Sequence, residues 1–253
     1  GNPFHRIGLD ILDTHLVTQR GNRYVVVLVD YFTKWSVAVA RSNHIAQTCA
    51  DVIVNHIVCQ FGVPDEILTD QGREFESTLF QEMCKLLRIN KIRTSPYRPQ
   101  TDGLVERQNK TVLTMLSKFV SVQRSDWDNL LPYITMVYNT SVHASTGLSP
   151  FLMVYGREAN LPVDLVYPRP PVSEQTFFCG SEYVEWLRAA LTSAHDFARA
   201  ALQRAAERQS RNYNLKAKPD PLFEPGDVCR YFYPPMRVKD KLCSAWIGPY
   251  TVL

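Results

Sequence analysis

The sequence predicts an α/β protein: a mixed five-stranded sheet with flanking helices, followed by a long linker helix and a small β unit. Three observations predict it. Residues 4–94 alternate between short β-branched runs and amphipathic stretches. Prolines gather at positions 162, 168, 170 and 171, which marks a boundary. Beyond them lie an alanine-rich helical pattern and then an aromatic, strand-like run.

Each element follows from its local pattern. Residues 7–16 read as a strand, and the turn Arg20-Gly21-Asn22 joins it to the β-branched run 24–30 as a hairpin. Residues 35–40 make a third strand. A helix over 46–61 is ended by Gly62, with Pro64 just beyond. A short buried strand at 66–69, a helix at 77–87 and a strand at 91–94 complete the sheet. In a helix over 102–122, Val105, Val112, Leu116 and Phe119 form one apolar stripe, with Glu106 on its border and Lys110 one turn on. Residues 126–140 read as another helix. Over 182–212, Leu187, Leu191, Ala194, Ala198 and Leu202 line one side of a long helix, and Arg204, Arg208 and Arg211 another. Its length and few bulky residues predict a connector or a subunit-packing element. Residues 223–233 form a turn and an aromatic strand, and 250–253 begin another strand.

Composition bounds the function. With 45% apolar residues in 253, the chain can build a real core. No apolar stretch approaches the roughly 20 residues of a membrane span, so no membrane association is expected. The opening residues are polar and turn-forming, and no signal peptide is expected. Six cysteines without a Cys-x-x-Cys pair, most in apolar surroundings, predict buried thiols in a reducing compartment. They share no zinc-ligand spacing with the six histidines. Net charge is +3, yet residues 199–253 hold ten Lys/Arg against five Asp/Glu. That local excess, in Arg204, Arg208, Arg211, Lys216, Lys218, Arg230, Arg237, Lys239 and Lys241, suits a polyanion partner. A solvated helix face and polar linker account for it equally well.

The chemistry centres on three carboxylates. Asp10 lies inside an apolar strand, Asp70 closes another before the turn Gln71-Gly72, and Glu106 lies in a helix with 35 residues between it and Asp70. Hard divalent cations need oxygen ligands from several directions, and three distant segments can supply them. Spacing alone is equally consistent with solvated acids at strand ends and a helix start. Asp30 reads as a strand-end or turn acid, and Glu74 and Glu76 as loop or helix-start residues. Thr101 or Asp102 suits a helix N-cap. Trp246 and Tyr250 read as core of the small β unit.

Three stretches are more specific. They are Leu68-Thr-Asp-Gln-Gly-Arg-Glu-Phe75, then Ser95-Pro-Tyr-Arg-Pro-Gln-Thr-Asp-Gly-Leu-Val-Glu-Arg-Gln-Asn-Lys110, then Tyr138-Asn with His143-Ala-Ser-Thr-Gly-Leu-Ser-Pro-Phe151 and Tyr155-Gly-Arg157. In order and spacing they resemble the integrases of retroviruses and LTR retrotransposons, from Pro3 to the last residue. Trp246-Ile-Gly-Pro-Tyr250 is similar to the Gly-Pro-Tyr/Phe module of the gypsy type, the metaviruses. The departures are mild: Phe4-His5 where Trp is frequent, Asp13 where Gly is usual, and Arg98 for a common His.

The resemblance implies an RNase H-like catalytic core over 1–165, a Pro-rich linker and long basic helix over 166–218, and part of an SH3-like DNA-binding barrel over 219–253. The family's N-terminal His-His-Cys-Cys zinc domain has no counterpart here, so a piece of a longer product is expected. Asp10, Asp70 and Glu106 match the family's Asp-Asp-Glu triad, which implies two Mg²⁺ ions, with Mn²⁺ as a substitute, and no small-molecule cofactor. Tyr97, Gln100 and Thr101 fall in its active-site loop. Asn109 and Lys110 fall near the element's DNA end. The implied reaction is metal-dependent trimming of a 3′ end followed by strand transfer into target DNA. The implied partners are double-stranded DNA and further copies of the chain, as dimer or tetramer. The implied setting is the nucleus, after a retroelement particle in the cytoplasm. A metal-dependent nuclease of the same fold, or a domesticated integrase kept as a non-catalytic DNA-binding or scaffold protein, are the alternatives.

Overall fold

The computed structural model describes residues 1–93, 110, 114, 126–162, 164, 180–216, 226–232 and 246–251. The chain divides into two compact units, Gly1–Ala205 and Ala206–Leu253. In the first, strands β1 (Arg6–Asp13), β2 (Tyr24–Asp30), β3 (Ser36–Arg41), β4 (Glu66–Thr69) and β5 (Asn90–Arg93) form a five-stranded sheet of order β3-β2-β1-β4-β5. β1 pairs antiparallel with β2 and parallel with β4, and β4 pairs parallel with β5. β2 is apolar along its length because it is covered on both faces. Val26 and Leu28 point into one core with Ile7, Leu9, Ile53, Ile67 and Phe80. Val25, Val27 and Val29 point into another with Trp127, Leu131 and Ile134.

The first face is covered by α1 (Ala46–Ile53) and α2 (Thr78–Leu86). The helix predicted over 46–61 is continuous in extent but contains a π-helical turn, Val54–Val58, before its last turn Cys59–Phe61. Gly62 stops it at φ 93°, a conformation that favours glycine. Ser77 caps α2, its hydroxyl accepting from the Phe80 N–H. Cys49 and Cys84 lie fully inside this layer, and burial pushes the Cys49 thiol up to about 12. In the folded protein, alkylation is therefore expected at the exposed Cys59 well before Cys49 or Cys84. Peptide mass spectrometry after a timed iodoacetamide pulse checks this.

The opposite face is covered by α3 (Trp127–Thr140). Its last turns explain part of the third sequence stretch as architecture. Asn139, 4% exposed, accepts from the Ser36 N–H at 2.8 Å and donates to the Ser36 carbonyl at 2.8 Å. Its amide thus acts as a rung on the edge strand β3. The Thr146 hydroxyl and the backbone of His143 and Leu148 close the following loop. Ser149 then caps α4 (Pro150–Tyr155), with Pro150 in its first turn and Gly156 left-handed after it.

Residues 7–16 are expected to be one strand, but β1 ends at Asp13 and residues 14–23 form a loop rather than a tight hairpin turn. Side chains draw this loop toward α3. Thr18 Oγ1 donates to Asp128 Oδ2 at 3.0 Å, Asn22 Nδ2 donates to the same oxygen at 2.8 Å, and Trp127 Nε1 donates to the Leu16 carbonyl at 3.2 Å.

The long helix α5 runs over Gly180–Lys216. As far as Ala205 it belongs to the first unit, where one side of it packs while most of its residues stay exposed. Ala198 is fully buried against Phe32 and Met153, and Leu202 joins them. His195 Nε2 lies 2.8 Å from the Met153 carbonyl. A Cβ on Gly156 would stand 2.7 Å from Leu187 Cδ1, which shows how close the contact is. The small side chains that make this stripe look weak are what permit the approach.

In the second unit, β6 (Val228–Phe232) and β7 (Trp246–Thr251) form an antiparallel pair. Tyr250 is 53% exposed, so it is not the core residue expected. No helix among the described residues is long and apolar enough to cross a membrane.

Candidate active site

Sheet register brings the first two predicted carboxylates together. On the parallel pair β1–β4, Gly8 lies beside Leu68 and Leu9 beside Thr69. The ladder ends at that pair: Asp10 is the next residue of β1, and Asp70 is the residue that follows the last of β4. Strand alternation assigns the face of Asp10. Leu9 and Ile67 point toward α1 and α2, whereas Leu12 packs with Trp127 under α3. Asp10 shares the parity of Leu12 and so faces the α3 side, while Asp70 opens the turn that follows β4. Both are half-buried.

The surrounding backbone holds them in place. Asp10 Oδ1 accepts from the Ile11 N–H at 2.7 Å, and Asp70 Oδ1 accepts from the Gly72 N–H at 2.9 Å. Buried Thr69 donates its hydroxyl to the Asp70 carbonyl at 2.9 Å. A Cβ on Gly72 would meet Glu74 Oε1 at 2.7 Å and Asp70 Oδ1 at 3.0 Å. The run Thr69-Asp70-Gln71-Gly72 is therefore a fitted turn that aims one carboxylate. Gly72 belongs to the turn the sequence marks after Asp70; Thr69 is a supporting residue that sequence reasoning passed over, and its signal was its place just before that aspartate.

The other acids have separate duties. Asp30 is buried and accepts from the Thr33 N–H at 2.8 Å and the Thr33 hydroxyl at 2.6 Å. Burial pushes its carboxyl above the usual range, against the pull of those bonds. It is the strand-end turn acid the sequence suggests. Arg23 grips Asp13 through two bonds of 2.9 and 2.7 Å and holds its carboxyl well below the carboxylate range. Glu76 pairs with Lys91 at 2.6 Å, which lowers its pKa.

Glu106 lies outside the described residues, as do Tyr97, Gln100, Thr101, Asn109, Lys239 and Lys241. Among the described residues no group of three or more His, Cys, Asp or Glu side chains is gathered for a metal. Asp10 and Asp70 nonetheless fit one: two anionic oxygen donors, side by side and half-open to solvent, suit a hard divalent cation. Lys110 is helical and exposed. Arg204, Arg208 and Arg211 are exposed on α5 at spacings of four and three residues, one helix face as predicted.

Residues 2–99 match the family Integrase core domain. The Retrovirus-related Pol polyprotein from transposon 412 of Drosophila melanogaster is 29% identical over 249 residues, which is 98% of this chain and 20% of that protein. The Gag-Pol polyprotein of avian reticuloendotheliosis virus is 29% identical over 241 residues, 95% of this chain and 20% of that protein. The chain thus spans about a fifth of the length of these relatives. A simian T-cell lymphotropic virus intasome, solved with the PP2A regulatory subunit B56 gamma, aligns with TM-score 0.54 and 25% identity over 70% of this chain and 60% of that one.

Proposed function

We propose that this chain, which carries an integrase core domain related to those of LTR-retrotransposon and retroviral polyproteins, catalyses metal-dependent 3′-end processing and strand transfer of retroelement DNA. The observation that supports the reading is the match of residues 2–99 to the integrase core family, in which Asp10 and Asp70 follow the last paired residues of adjacent parallel strands, Leu9 and Thr69. The gypsy-type assignment rests on Trp246-Ile-Gly-Pro-Tyr250.

The chemistry asks for positioning and charge neutralisation, with no protein nucleophile. Asp10, Asp70 and Glu106 would hold two Mg²⁺ ions, or Mn²⁺, which supply Lewis-acid stabilisation of the attacking and leaving oxygens. The backbone N–H groups of Ile11 and Gly72 fix one oxygen of each aspartate. Lys110, Asn109 and the loop residues Tyr97, Gln100 and Thr101 are proposed to contact the element's end. Arg204, Arg208, Arg211, Lys239 and Lys241 are proposed to neutralise phosphates along its length. Joining two DNA ends to one target calls for a homo-oligomer, and a chromosomal target for action in the nucleus.

The test is strand transfer in Mg²⁺ or Mn²⁺ with a short duplex bearing a free 3′-hydroxyl, wild type beside Glu106→Gln. Joined products that vanish in the variant support the reading. Joining that persists in Glu106→Gln removes the third carboxylate from the site. Cleavage by wild type without any joining would favour the nuclease reading instead.

A further inference from the structure

We infer that the β1–β2 loop, residues 14–23, is a DNA-backbone contact beside the carboxylates, with Arg20 as its phosphate ligand. The inference rests on the DNA-processing reading above. On β1, Asp10 and Leu12 share a face, and Leu12 packs with Trp127. The loop folds onto that same face and end of the sheet, because Trp127 and its neighbour Asp128 hold it there.

The loop is fixed from within. Besides the bonds to α3, the Thr18 N–H donates to the Asn22 carbonyl at 2.8 Å, the Gly21 N–H to the Thr18 carbonyl at 2.9 Å, and Thr14 Oγ1 to the Arg23 carbonyl at 2.7 Å. Gly21 makes the turn at φ 79°. Thr18 and Asp128 are both buried, so the loop's polar groups are spent inward on anchoring.

What it presents outward suits a polyanion. His15, Leu16, Val17, Gln19 and Arg20 are exposed, and residues 14–23 contain no acid. Arg23 is taken by Asp13. Arg20 has no ion-pair partner among the described residues and stands at the turn's tip. An exposed guanidinium carried on an anchored loop, with no ion-pair partner among the described residues, is a ready donor to a phosphate, which it can grip through two bonds. Val17, 61% exposed, sits next to it as an apolar surface for a sugar edge.

The test is fluorescence anisotropy of a labelled short duplex with the full chain in metal-free buffer, titrated across salt concentrations. Each phosphate contact contributes about 0.9 to the slope of log K against log salt. Arg20→Ala is expected to lower that slope by about 0.9 with an unchanged melting temperature, and Arg20→Lys to keep it. Asp128→Ala, which frees the loop, is expected to weaken binding and to speed amide exchange over 14–23. An unchanged slope in Arg20→Ala, with wild type binding normally, overturns this inference alone. A wild type that binds no DNA overturns the function reading and this inference with it.

Discussion

Asp70→Asn is expected to lower metal-dependent strand transfer by at least about 10²–10³-fold while leaving the melting temperature near that of wild type. The amide oxygen of asparagine can still accept from the Gly72 N–H, so the turn Thr69–Gly72 keeps its closing bond. What is lost is one negative charge and a strong oxygen donor, which a hard cation does not forgo cheaply. Asp10→Asn is expected to behave alike, since its link to the Ile11 N–H also survives the change. The measurement is single-turnover joining at fixed Mg²⁺, with thermal melts of the same preparations. Joining within a few-fold of wild type in either variant would remove that aspartate from the site.

The largest structural effect is expected at Trp127. It is 2% exposed, fills the core under α3, and donates from Nε1 to the Leu16 carbonyl. Trp127→Ala removes a large buried ring, a change that costs about 3–5 kcal/mol. At roughly 2–4 °C per kcal/mol for a unit of this size, the melting temperature should fall by about 6–20 °C. Trp127→Phe keeps most of the packing and loses the N–H bond, so it should cost only about 1 kcal/mol. Calorimetry on the three proteins separates the two contributions. Equal stability of the alanine variant would mean that α3 is not the lid of this core.

Much of this architecture was legible from the chain. The run 24–30 matched its strand residue for residue, and helices over 46–61 and 126–140 fell within a residue of their predicted ends. Such elements are visible because one local pattern decides them: an apolar run, a cap, a stopping glycine. The pairing of Asp10 with Asp70 is read only through a resemblance, because no local pattern tells which strands lie side by side, here β1 and β4, some 60 residues apart. Local signals misled where a distant partner overrode them. β1 stops at Asp13 because Trp127 and Asp128 pull the next ten residues aside, and they lie more than a hundred positions away. Ala198, read from the sequence as part of the apolar side of α5, packs against Phe32 and Met153, and its small size permits that approach. Asn139, inside a stretch that suggests function, serves the edge of the sheet instead.

The ladder between β1 and β4 has one more implication. Neighbouring strands lie about 4.8 Å apart, and the rung of Leu9 beside Thr69 sets that gauge at the point where Asp10 and Asp70 follow. The main chain entering both residues is therefore held by the sheet itself. On the function proposed above, two of the three carboxylates would thus be carried by the sheet, and the segment that brings Glu106 would complete the set.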